Sequence, residues 1–273
     1  MMKKDCIYHM VGIYANILAE VIKMIDYSRE EEKDFYNKVG KIIGWDFSKL
    51  KYKIEDNSEF QFFNEINNKV KSNTILLDIG TGGGEKLTNL ITDNCLLKIG
   101  TDFSNEMVKN ANKQNIKNNI RFFEMDSKNI KFPNEFFDVI SARHTPFWIN
   151  EVYRILKKEG YFFTEQIDED DCLPLKKIFG RGQGYKVQIK LSEKIKNEIK
   201  DIKFNSVEFY DIIQKEYYEN EEDLLFLLNN TPIIPGFGKE KDDFGKFNEY
   251  VRNNTTDKGI VLDRRLFGIK MKK

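Results

Sequence analysis

Residues 74–85, Thr-Ile-Leu-Leu-Asp-Ile-Gly-Thr-Gly-Gly-Gly-Glu, constrain this chain more than any other stretch. An apolar run that meets a carboxylate and then a glycine cluster is the pattern of a buried parallel strand entering a tight turn and a helix. Gly80, Gly82 and Gly84 reach dihedrals that are costly for other residues, and they leave no side chain between the main chain and a ligand. The stretch predicts a nucleotide-cofactor site on a strand-to-helix turn.

Spacing narrows the ligand. Dinucleotide-binding enzymes place a third glycine one position later, where this chain has Glu85, and rest a pyrophosphate on the helix N-terminus. A carboxylate there opposes a phosphate and suits a ligand bearing an ammonium and a sulfonium. The residues resemble motif I of the class I S-adenosylmethionine-dependent methyltransferases, Asp-x-Gly-x-Gly-x-Gly, with Asp78, Gly80, Gly82 and Gly84 in the matching places. The resemblance spans roughly residues 69–166. It implies S-adenosyl-L-methionine as cofactor and a seven-stranded sheet whose last strand enters antiparallel, with residues 207–215 and 260–271 as the closing pair. Leu156-Lys157-Lys158-Glu159-Gly160 resembles the Leu-Lys-Pro-Gly-Gly turn before the fifth strand, with Glu159 in place of the proline and Tyr161 in place of the second glycine. The whole chain, including Trp45-Asp46-Phe47 and Thr231-Pro232, is similar to a group of uncharacterised bacterial small methyltransferases, a likeness that supplies no substrate.

Strand and helix signals alternate from Thr74 onward, so the expected fold class is α/β: a Rossmann-like doubly wound sheet of about seven strands, with an N-terminal helical extension and a C-terminal cap insertion. A strand over 96–101 ends in Asp102, and Ser104 caps a helix to about Gln114. A strand over 120–125 ends in Asp126; a strand over 136–142, a helix over 147–156 and a strand over 160–166 follow. Asp102 suits both ribose hydroxyls, Phe103 beside it suits the adenine ring, Asp126 the adenine amino group, and Ser127 the rest of that edge. Taken singly, each also reads as a strand-end cap. The fourth strand runs into Ser141-Ala142-Arg143-His144-Thr145-Pro146, where the acceptor sits in the resembling enzymes. His144 is the candidate general base; the competing reading is an imidazole hydrogen-bonded to backbone. Arg143 is a candidate to hold the cofactor carboxylate or to orient an anionic group. The segment lacks the Asn/Asp-Pro-Pro-Tyr of base-amine methyltransferases, and Cys172 lacks the proline that precedes the nucleophile of the C5-cytosine relatives.

At 273 residues the chain is long enough for one core domain with additions. The expected division is a helical extension over 1–68 and a methyltransferase domain over 69–273, with cap or lid elements around 168–258. Lys+Arg and Asp+Glu are equal at 44 each, so no global field draws the chain to nucleic acid or an anionic membrane. Three widely spaced cysteines give neither a disulfide framework nor a metal cluster, and point to a reducing, cytoplasmic setting. Residues 7–25 read as an amphipathic helix too polar for a membrane span, and 29–40 as a charged outer helix. Trp45 and Phe47 read as a loop anchor or as the substrate mouth. The acidic run 168–171 reads as a solvated loop, the alternative being a site for a metal or a cationic substrate. The glycines at 180, 182 and 184, with Arg181 and Lys186, lack the context of a phosphate loop, and the apolar turn 231–237 suggests a lid wall. The leading expectation is methyl transfer to O or N of a small-molecule acceptor. The alternatives are an RNA methyltransferase docking through residues 186–203, and a protein that binds the cofactor without turnover.

Overall fold

In a computed structural model of the protein, the described residues are Asn37, 50–56 and 58–273. The helices expected over 7–25 and 29–40, Asn37 apart, and the Trp45 and Phe47 anchor lie outside them.

Glycine-led turns and apolar runs build the parallel half of one sheet. Its strands are β2 (Ile75–Ile79), β3 (Leu97–Asp102), β4 (Ile120–Glu124), β5 (Phe137–Arg143) and β6 (Leu156–Ile167). Side chains alternate across the strands. Leu77, Ile99, Ile140 and Phe162 therefore pack on one face against α4 (Ile149–Ile155) and α6 (Leu191–Ile199), in a core that also holds Val152 and Ile195. Leu76, Val139 and Phe163 pack on the other face with Phe62 and Ile66 of α1 (Phe62–Asn67), Leu87 of α2 (Glu85–Asn89) and Val108 of α3 (Asn105–Gln114). Ser104 caps α3, its hydroxyl accepting from the Met107 N–H, as its place after a strand predicts.

The antiparallel half is larger than expected. β7 (Ser206–Tyr218) and β9 (Gly259–Lys272) are the expected closing pair, and β9 lies between β6 and β7. With β1 spanning Tyr52–Asp56, the strand order is β1-β7-β9-β6-β5-β2-β3-β4, and the two-residue β8 (Thr255–Thr256) pairs with β9. β1 corrects the purely helical reading of the extension, because it adds to the β7 edge. Cross-strand side chains hold it: Tyr217 Oη donates to Glu55 at 2.9 Å and Gln214 Nε2 to Asp56 at 2.9 Å.

β6 ends at Ile167, opposite Leu266, whereas β9 starts at Gly259 and stays paired with β7 throughout. The β7–β9 arm thus runs past the C-terminal edge of the parallel strands. α5 (Leu173–Phe179), α7 (Glu221–Asn230) and α8 (Asp243–Asn254) form a second core on the arm, with Leu175, Leu224, Phe247, Tyr250 and Leu262 buried in it. Ile233 and Ile234 are buried there too, and Phe237 packs on Phe179, Phe244 and Phe247. The apolar turn expected as a lid wall thus turns Ile233, Ile234 and Phe237 into the cap and leaves Pro235 and Gly236 exposed. Among 156–160, the left-handed backbone falls at Glu159, φ 64°, and β6 already begins at Leu156.

All four acidic residues at 168–171 are hydrogen-bonded, Glu169 accepting from the Leu191 N–H at 2.8 Å, and only Asp170 is exposed. Lys190 Nζ bonds Asp168 at 2.9 Å and Asp170 at 2.7 Å, and Arg264 Nε donates to the buried Asp171 at 2.9 Å. Arg264 also donates to Glu216 at 2.8 Å, and its charge is held on by Glu216 and Asp171 against the cost of burial. This cluster joins the loop after β6 to the arm. Cys172 is fully buried, and burial pushes its thiol far above the ordinary range. Arg181 is bonded to Asp243 at 2.9 Å, and Gly182 packs against Lys176, so neither serves a phosphate.

Candidate active site

Register brings Asp78 on β2 opposite Ser141 on β5, and the Ser141 hydroxyl donates to Asp78 Oδ1 at 2.7 Å. Burial raises the Asp78 carboxyl to about 6, the bond from Ser141 opposes that shift, and the neighbouring Asp102 charge adds to it. The loop after β2 then turns through Gly80, Gly82 and Gly84, all at positive φ. Two of these glycines are set by protein contacts: a Cβ at Gly80 would fall on the Thr145 side chain, and one at Gly84 on the Phe122 ring. Gly82 instead turns its N–H to Asp102 Oδ2 at 2.9 Å.

Asp102 also accepts from the Ser104 N–H at 2.8 Å. Burial raises its carboxyl and these backbone donors oppose the shift. The Phe103 N–H also faces it, and a carboxylate with about four lone-pair sites keeps acceptor capacity for a ribose hydroxyl beside these backbone donors. Phe103 follows, half-buried at the same edge. Ser104 Oγ donates to Asn37 Oδ1 at 2.6 Å, which brings Asn37 beside this strand end. Asp126 and Ser127 stand in the turn after β4, where Asp126 Oδ1 accepts from Lys128 N–H at 2.8 Å. The Met125 N–H bonds the Asp102 carbonyl at 2.9 Å, so the two strand-end carboxylates occupy adjoining strands of one edge.

A second polar group is built on β5 and β6. Arg143 pairs with Glu165 across the two strands, and its Nε donates to Glu165 Oε1 at 2.7 Å. His144 Nε2 stands 3.2 Å from the same oxygen. His144 has φ 53°, an uncommon backbone for a non-glycine residue and one that collects at functional turns. About 29 % of its side chain is exposed, yet the surrounding protein and the Arg143 charge lower its pKa to about 4 against the pull of Glu165. The imidazole is neutral at neutral pH. Burial pushes the Glu165 carboxyl up, but Arg143 and His144 hold it down at about 2.

Sequence reading missed Glu165 and Ser141. The available signal was three polar residues in succession, Thr164-Glu165-Gln166, at the end of the apolar run Tyr161-Phe162-Phe163. All three are buried, and Gln166 Nε2 donates to Thr164 Oγ1 and to the Thr145 carbonyl.

The residues fit a cationic adenosyl ligand. The Thr81 hydroxyl, buried inside the glycine loop, faces the Asp78 carboxylate and helps to hold its charge. Two neighbouring carboxylates with raised pKa favour a positive ligand, and Glu85 disfavours a phosphate at the start of α2.

This strand order, the glycine loop and the carboxylates on the strand ends are those of a class I S-adenosylmethionine-dependent methyltransferase domain, with S-adenosylmethionine as its cofactor. Residues 77–164 match the family described as methyltransferase domain. An uncharacterised protein of Methanocaldococcus jannaschii is 28 % identical over 184 residues, covering 62 % of this chain and 70 % of its own. The structure of the YcgJ protein of Bacillus subtilis is similar at a TM-score of 0.53 and 17 % identity, over 77 % of this chain and 95 % of that one. A functionally unknown protein of Deinococcus radiodurans is similar at a TM-score of 0.54 and 12 % identity, over 86 % and 97 %. At such identities the two structural likenesses speak for the fold alone.

Proposed function

We propose that this methyltransferase acts on the oxygen or nitrogen of a small-molecule acceptor held above β5 and β6, beneath the cap elements of residues 168–258. The observation that carries this reading is the closeness of the arm to the acceptor edge. Arg264 on β9 lies within electrostatic reach of His144, and Tyr52 on β1 within reach of Arg143. An arm standing so close to that edge suits a small acceptor better than a strand of nucleic acid. Within 186–203, Lys190 is engaged by Asp168 and Asp170, and Lys196 lies over the Phe209 ring. Those contacts weaken the case for that segment as an RNA docking face. No helix among the described residues is long and apolar enough to cross a membrane.

When bound, S-adenosylmethionine supplies an electrophilic methyl on a sulfonium, which the acceptor lone pair takes as the carbon–sulfur bond breaks and its electron pair stays on sulfur. Asp78, the loop of Gly80, Gly82 and Gly84, Asp102, Phe103, Asp126 and Ser127 are assigned to hold it. Arg143 orients an anionic group, and His144 accepts the proton that the acceptor gives up. Alignment and exclusion of water carry much of the rate, and the base adds to it.

The test is turnover of hydroxyl- and amine-bearing small molecules by the purified full chain. His144→Ala should lower kcat by roughly 10²–10⁴-fold with cofactor affinity nearly unchanged. Because the imidazole stays neutral down to about pH 4, the wild-type acid limb should lie there. A variant that keeps its turnover and its acid limb would remove the base role. Filter binding at low salt checks the other acceptor class: RNA retention that fades steeply with added salt would favour RNA.

A further inference from the structure

Glu165 meets the Arg143-His144 pair through both its backbone and its side chain. The His144 N–H donates to the Glu165 carbonyl at 2.9 Å, which fixes where the chain leaves β5. Glu165 Oε1 accepts from Arg143 Nε at 2.7 Å and stands 3.2 Å from His144 Nε2, within reach of a hydrogen bond from the ring. The residues before Glu165, Phe162 and Phe163, are fully buried, so the carboxylate is mounted on a rigid strand.

An ionised carboxylate accepts hydrogen bonds and donates none. A hydrogen bond between the ring and Glu165 therefore requires a proton on Nε2, and in a neutral imidazole this leaves the lone pair on Nδ1. Arg143 on β5 and Arg264 on β9 also act electrostatically on the ring, but as cations they offer no acceptor to compete for its N–H. We propose that Glu165 is the positioning residue of this site, holding His144 in the Nε2–H form so that Nδ1 is the atom turned to the acceptor. The catalytic consequence rests on the base role given above, whereas the tautomer is a property of the protein alone. The arrangement also narrows the acceptor to molecules that bring an O–H or N–H to Nδ1. A thioether or tertiary amine has no proton to lose and gains nothing from the pair.

The sequence has two histidines, so His9→Gln leaves His144 as the single imidazole. Long-range proton–nitrogen NMR spectra of that full-length protein at neutral pH distinguish the tautomers directly. The expected result is Nε2–H; Nδ1–H, or the averaged mixture of a free imidazole, overturns the proposal. Glu165→Met in the same background should release the ring to a mixture and lower kcat by roughly 10–100-fold, with cofactor affinity unchanged. Glu165→Gln, whose amide oxygen still accepts, should restore part of both. A pure Nε2–H form surviving in Glu165→Met would overturn the assignment to Glu165, and if that variant does not fold, the spectrum of the His9→Gln protein still decides. Should that spectrum show Nε2–H while His144→Ala turns over normally, the positioning stands and the base reading falls.

Discussion

Burial holds the Asp78 carboxyl near 6, above the ordinary carboxylate range, and this sets binding against stability at one residue. Between those two values the folded chain binds more protons than the unfolded one, so the ligand-free protein loses stability as pH rises through that window. A bound cation relieves that cost. Asp78→Asn keeps an acceptor for Ser141 and removes the charge. It should stabilise the ligand-free protein above neutral pH by on the order of 1–3 kcal/mol while weakening S-adenosylmethionine. Melting curves with and without cofactor would show it, and a variant that melts lower in both would sink the idea. Asp102→Ala should weaken the cofactor by roughly 1.5–3 kcal/mol in calorimetry, the scale of hydrogen bonds to a charged group. Because Asp102 also holds the Gly82 and Ser104 N–H groups, Asp102→Asn belongs beside it as a control for loop disorder. Wild type that bound NAD and not S-adenosylmethionine would overturn the cofactor roles assigned to both. Asp78 and Asp102 were legible because they end strands in a contiguous pattern. Glu165 was not, because its partners lie across the sheet and only register brings them together.

Among the elements, α2 is five residues long, too short to hold itself. Lys98, fully buried on β3, closes its C-terminal end, donating to the Leu87 carbonyl at 3.0 Å, the Ile91 carbonyl at 2.8 Å and Asp93 at 2.7 Å. Lys117 adds a bond to the Thr88 carbonyl at 2.7 Å. A lysine inside an apolar strand reads from sequence as an exposed face, so this cap was not foreseen. Lys98→Met should cost about 3 kcal/mol, since it strands two carbonyls and removes an ion-pair partner. Denaturant titration measures the loss, and a cost below about 1 kcal/mol would mean that water replaces the ammonium. β1 escaped the sequence for the opposite reason. An edge strand needs no apolar run, and Tyr52–Asp56 carries Lys53, Glu55 and Asp56.

Across the whole molecule, the alternation of strand and helix signals disclosed the parallel half, because the inner parallel strands β2, β3 and β5 are buried on both faces and read as largely apolar runs. The cap on the arm was less legible. Its helices bury their faces against strands that had already been allotted to the sheet, and one pair of strands serves both bodies. That the fourteen-residue β9 is inserted between β6 and β7, though it follows both in the chain, bears on how the protein acquires its form. Until β9 docks, β7 and β1 have no ladder to the parallel strands, and the loop that must close to bring it in contains the entire cap. Contacts this distant in sequence slow folding. In pulsed hydrogen exchange during refolding, amides of β2, β3 and β5 should become protected in an early phase, with β1, β7 and β9 protected together in a later one. Simultaneous protection of all six would mean that the insertion is not the slow step. If the phases separate, an intermediate with an open β6 edge persists while the last strand is awaited, and it is there that the chain is most exposed to pairing with a second copy of itself.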